Sequence, residues 1–93
     1  MASAEPASAS PAAVSVLYFA ALRDLAGTGE ERVDLPASPV SVETLLTALE
    51  ARHGALRGRL QSVRVAVDEE FAEMSRLLRG GEVVALIPPV SGG

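Results

Sequence analysis

The residues best placed to do chemistry stand at the end of the chain, where Val83 to Gly93 reads VVALIPPVSGG. Cysteine is absent from the 93 residues, which excludes a thiol nucleophile, a thiolate metal site and a disulfide. The one histidine, His53, has no second ligand at a metal-binding spacing. Asp68, Glu69 and Glu70 stand side by side but lack the alternating oxygen donors of a calcium loop. No metal site is therefore expected, and what remains is the α-carboxylate of Gly93. Gly92 and Gly93 carry no Cβ, so this tip can enter a channel too narrow for any other residue. Pro88 and Pro89 lack the amide donor of a sheet ladder and fix φ, so the tail leaves its strand stiff and extended. At about 3.3 Å per extended residue, Pro88 to Gly93 reaches roughly 20 Å, enough to thread a partner's active site. Glycines at a terminus signify little alone. A strand and a diproline directly before them mark Pro88, Pro89, Val90, Ser91, Gly92 and Gly93 as a built tail.

Such a tail needs a body that aims it. Val83 to Ile87 is apolar and β-branched, a strand buried on at least one face. Val14 to Leu22, VSVLYFAAL, is apolar on both parities and predicts a central strand. Asp24 to Gly29 supplies two glycines in turn context, and Glu31 to Leu35 alternates, so a hairpin with its second strand at an edge is expected. Pro36 to Val40 reads as a loop. Ser41 can cap a helix from Val42 to about His53, stopped by Gly54. Val42, Leu45, Leu46 and Leu49 share one stripe of it, while His53 is expected as a solvated residue of the last turn. Ala55 to Ser62 is irregular with a short helical turn, and Val63 to Val67 is a strand. A turn at Asp68 to Glu70, a short strand at Phe71 to Glu73, a connection at Met74 to Arg79 and a tight Gly80-Gly81 turn complete the chain. The order predicts an α+β fold, a β-grasp (ubiquitin-like) mixed sheet of four to five strands packed on one main helix, with first and last strands adjacent and parallel.

Composition narrows the partners. At 48% apolar residues and 93 residues in all, one modest domain is expected, spanning 14–87 between an Ala/Ser/Pro-rich leader (1–13) read as disordered and the tail (88–93). The formal net charge of −4 argues against nucleic acid and anionic membrane and for an electropositive partner surface. No segment has the pattern of a secretory signal or the length of a membrane span, so a cytoplasmic location is expected. All eight basic residues are arginine, which rules out lysine-linked chains of this protein. One helix covers one sheet face, so the apolar residues on the other need an explanation. Phe19, Phe71 and Ile87 form the candidate exposed patch. Loops at Ala55 to Ser62 and Met74 to Arg79 could equally fold over it, and the residues alone leave both readings open.

Three segments, VLYFAALRDLAG, VRVAVDEEF and GGEVVALIPPVSGG, resemble the small subunits of molybdopterin synthase within the ubiquitin-like sulfur-carrier family, a likeness that spans Val14 to Gly93. Two positions depart from that pattern: Asp68 stands where the family has asparagine, and Gly81 where it has aspartate. The resemblance implies that Phe19, Phe71 and Ile87 contact a large subunit, with Arg23 as a basic residue beside the interface. It also implies that Gly93 is adenylated with ATP on an E1-like activating enzyme, converted to a thiocarboxylate by a persulfide donor protein, and used to deliver sulfur to cyclic pyranopterin monophosphate. The chain would then hold no cofactor of its own and leave catalytic residues to the large subunit, two carriers serving one dimer of it. Alternatives are a carrier for thiamine, cysteine or tRNA thiolation, a ubiquitin-like protein modifier, or a plain β-grasp binding module.

Overall fold

The computed structural model describes residues 12–89. It contains a mixed five-stranded sheet. β1 (Ala13–Tyr18) and β7 (Val83–Ile87) run parallel at its centre, paired from Ser15↔Val83 to Tyr18↔Leu86. β2 (Glu30–Asp34) forms one edge against β1, and β4 (Arg64–Val67) pairs antiparallel with β7 from Arg64↔Ile87 to Val67↔Val84. β5 (Glu70–Ala72) closes the other edge as a hairpin with β4. The turn between them uses Asp68 and Glu69 at φ 50° and 74°, and Asp68 Oδ1 accepts the Val83 amide at 2.9 Å. An aspartate adopts this left-handed conformation readily, so the departure at Asp68 leaves the turn intact.

The main helix, α2 (Val42–Arg52), is capped by Ser41, whose hydroxyl accepts the Thr44 amide at 3.1 Å. Its predicted stripe of Val42, Leu45, Leu46 and Leu49 is buried against Val14, Val16, Tyr18, Val65, Val67, Val84 and Leu86 of the sheet. His53 is the C-cap, and Gly54 opens a 3₁₀ turn (Gly54–Leu56) that drops Leu56 into the core. No helix among the described residues is long and apolar enough to cross a membrane.

Three expectations need correction. The first strand ends at Tyr18, four residues before Leu22, and the link to β2 is a helix, α1 (Ala21–Ala26), where a hairpin turn was expected. Ala20, at φ 53°, breaks the extended run; five of the six residues that follow, all but Asp24, are strong helix formers. Leu22 is buried, Leu25 and Ala26 pack beside it, and Gly27 at φ 80° closes the helix by donating to the Arg23 carbonyl. Secondly, the expected loop and connection contain two-residue strands, β3 (Val40–Ser41) and β6 (Leu77–Leu78), which pair with each other and bury Leu78. Thirdly, the leader gives up its last two residues to the fold. Ala13 begins β1, the Ala12 carbonyl accepts the Leu35 amide, and the Ala13 carbonyl accepts the Gly81 amide, both at 2.7 Å. The rest of the leader, 1–11, lies outside the described residues.

The Gly80-Gly81 turn feeds β7. Gly80 has φ 125°, and a Cβ there would stand 2.9 Å from that of Ala12, so no larger residue fits. Glu82 holds the turn by accepting the amides of Arg79 at 3.0 Å and Gly80 at 2.8 Å.

Candidate functional site at the tail exit

The parallel pairing of β1 and β7 ends both strands at the same edge of the molecule. Phe19 follows β1 one ladder step past Tyr18↔Leu86, and its amide donates to the Leu86 carbonyl at 3.3 Å. Ile87 is the last residue of β7 and stands opposite Arg64 of β4. Phe71 of β5 stands opposite Ala66, on the sheet face away from α2, and the Arg64 guanidinium lies 4.2 Å from the centre of its ring. Arg64, Phe71, Ile87, Pro88 and Pro89 line a cleft of about 310 Å³. The cleft sits at the root of the tail.

Exposure decides between the two readings of the apolar patch. Phe19 is 42% and Phe71 65% exposed, while Ile87 is half-buried. The two loops that could have covered them instead turn to the helix side, where Leu56, Leu60, Met74 and Leu78 join the core. Phe19 and Phe71 are thus left uncovered at this end of the sheet, with the Arg64 guanidinium stacked on Phe71. Arg23 is exposed on α1 and lies along Gly29, within 3.3 Å of where a Cβ would stand, beside the β1–β2 end of the site and away from the cleft. Pro88 is half-buried and Pro89 exposed, whereas Val90, Ser91, Gly92 and Gly93 lie outside the described residues.

Behind Phe19 is a polar cluster that the sequence reading missed. Tyr18, buried, donates its hydroxyl to Glu31 Oε2 at 2.6 Å, and His53 Nε2 meets the same oxygen at 2.6 Å. Arg52 Nε is 3.4 Å from Glu31 Oε1, and the Tyr18 and His53 rings meet edge to face with centroids 6.0 Å apart. His53 is therefore not the solvated residue expected; 20% of its side chain is exposed, and it clamps the end of α2 to edge strand β2. A signal was present: Glu31 shares the parity of buried Val33, so alternation aims a carboxylate at the core face, which demands partners.

Partial burial pushes the Glu31 carboxyl up, but hydrogen bonds from Tyr18 and His53 and the charges of His53 and Arg52 outweigh it and hold the group below the ordinary glutamate range. Burial, then the bond to Glu31, pushes the Tyr18 hydroxyl up, so Tyr18 stays a donor. The lowered Glu31 value means that its contribution to stability is present above about pH 4.5 and is lost as pH falls through the folded value. Glu31→Gln is expected to cost about 1–2 kcal/mol at pH 7, with the gap to the parent chain closing on acidification below that point. Denaturant melts at pH 7 and pH 3 measure it; equal stability at pH 7 would show that the cluster is not a clamp.

A mixed five-stranded sheet wrapped on one main helix, with its last strand running into Pro88 and Pro89, makes this a ubiquitin-like β-grasp protein. Residues 16–93 match the ThiS family, and the chain belongs to it. It is 39% identical over 87 residues to the molybdopterin synthase sulfur carrier subunit of Mycosarcoma maydis, covering 86% of this chain and 92% of that protein. The human molybdopterin synthase sulfur carrier subunit is 32% identical over 83 residues, covering 86% of this chain and 93% of its own. Among solved structures, small archaeal modifier protein 1 of Haloferax volcanii superposes with a TM-score of 0.78 at 30% identity, over 85% of this chain and 99% of that one.

Proposed function

We propose that this chain is the sulfur carrier of a molybdopterin synthase. The observation that carries the reading is the site's layout: two exposed phenylalanines and Ile87 flank the point where β7 passes into Pro88 and Pro89. That arrangement docks a partner and aims a tail in one act, and the likeness to two sulfur carrier subunits supplies the chemistry.

A carboxylate is a poor electrophile. Its oxygen attacks the α-phosphate of ATP on an activating enzyme, pyrophosphate leaves, and Gly93 becomes an acyl adenylate. The terminal sulfur of a persulfide then displaces AMP, and a thiol cleaves the resulting S–S bond, leaving a thiocarboxylate. This soft sulfur is a better nucleophile than the oxygen it replaced. In the large subunit it bonds to a carbon of cyclic pyranopterin monophosphate as an oxygen substituent of that carbon leaves. Water then cleaves the resulting thioester, freeing the thiol and returning the Gly93 carboxylate, and two loaded carriers supply the two dithiolene sulfurs. The present chain contributes the reacting group, its reach and its aim. General acids and bases belong to the subunit that encloses the tip. Reconstitution tests the proposal: loaded chain, large subunit and cyclic pyranopterin monophosphate should yield the dithiolene, and no product would refute this assignment.

The likeness to a small archaeal modifier protein favours a second reading, in which activated Gly93 forms an amide with a lysine of another protein. Covalent adducts of this chain in extracts of its own cells would establish that activity.

A further inference from the structure

The cleft beside the tail carries one charge, and nothing in the described chain answers it. Both ion pairs among the described residues use Glu31, and no carboxylate of the described residues lies within 4.0 Å of Arg64. None of the side-chain hydrogen bonds among the described residues involves Arg64 either. The group is nevertheless held in place. Its guanidinium lies over the Phe71 ring at 4.2 Å, a contact that leaves the rigid fork of N–H donors free for an anion. Arg64 and Phe71 also wall a second depression of about 530 Å³ that runs on past Val63, Ala72 and Met74; Glu73 lines it too, but farther than 4.0 Å from the guanidinium. Any protein that takes the tail must cover this ground and strip water from Arg64. An apolar surface alone would leave a buried guanidinium unpaired, which is heavily penalised.

We infer that the protein receiving the tail places an aspartate or glutamate on Arg64 and seats an apolar side chain in the cleft between Phe71 and Pro88. This rests on the carrier reading, on which that protein is the large subunit of the synthase. The chain's net charge of −4 calls for a partner surface that is electropositive at large. One carboxylate set into such a surface, matched to one arginine, fixes the register of docking and rejects basic surfaces that lack it. Arg64 is thus a specificity residue of the interface, distinct from the apolar residues that supply its area.

The test is titration of full-length variants against the large subunit. Arg64→Glu should weaken binding about 100-fold and Arg64→Met about tenfold, the latter with a shallower dependence on salt. Replacing the aspartates and glutamates of the large subunit's tail-receiving face by arginine, one at a time, should restore binding of Arg64→Glu at a single position. Arg64 is exposed, so both variants should fold, and circular dichroism checks this; if Arg64→Glu failed to fold, Arg64→Met would decide. Unchanged affinity of the Arg64 variants overturns the inference, as does weakening that no partner reversal restores. If Phe19→Asp still weakens binding in those cases, the carrier reading survives. If the parent chain fails to bind the large subunit at all, that reading falls and takes this inference with it.

Discussion

Deleting Gly92 and Gly93 is expected to reduce sulfur transfer to the level seen without the protein, while folding and affinity for the large subunit stay within about twofold of the parent chain. The reacting carboxyl would be withdrawn by about 7 Å and borne by Ser91, whose Cβ does not fit a channel shaped for glycine. The body should not notice. Its stability comes from the β1–β7–β4 ladders and the α2 stripe, all within residues 12–89. Thermal melts and complex formation by the truncated chain separate this outcome from misfolding. Dithiolene formation by a truncated chain that folds and binds would contradict the role given to the tip.

The second large effect falls on the proposed docking face. On that proposal, Phe19→Asp and Ile87→Asp each place a carboxylate in a surface that the partner has to dry. A loss of about 2–4 kcal/mol is expected for either, roughly 30- to 900-fold in dissociation constant. Phe19→Asp is the cleaner test because Phe19 is 42% exposed and leaves the core untouched, whereas Ile87 is half-buried at the end of β7. Calorimetric titration gives the answer, and wild-type affinity of Phe19→Asp would remove Phe19 from the interface.

The parts of this fold that were legible in the sequence are those where one local signal agrees with the global one. Ser41 ahead of Val42, Leu45, Leu46 and Leu49 announces a capped amphipathic helix, and the structure buries all four. The apolar runs at Val14 and Val83 announce neighbouring central strands, and they pair in parallel. α1 was illegible for a physical reason. Its six residues continue an apolar run from β1 and lead into Gly27 and Gly29, so strand and hairpin signals mask a helix of under two turns. β3 and β6, two residues each, are too short for any periodicity to show.

The site divides the same way. Phe19, Phe71 and Ile87 were readable as apolar residues in excess of what one helix can cover, and their exposure was decided by where the loops went. Arg64 was not readable. In VRVAV it is simply the polar partner of an alternating strand, and only the Arg64↔Ile87 register and the hairpin that swings Phe71 beneath it bring it to the root of the tail. Likewise, the clamp of Tyr18, Glu31 and His53 joins three segments up to 35 positions apart, a distance that no local pattern spans.

Whether Gly93 carries sulfur is read from the intact mass of the protein isolated from its own cells without reductant. A fraction heavier by the difference between one sulfur and one oxygen atom, mapped to Gly93 by fragmentation, is the expected result. If only the carboxylate form appears, even after incubation with ATP, the cognate activating enzyme and a persulfide donor, the chain is not a sulfur carrier.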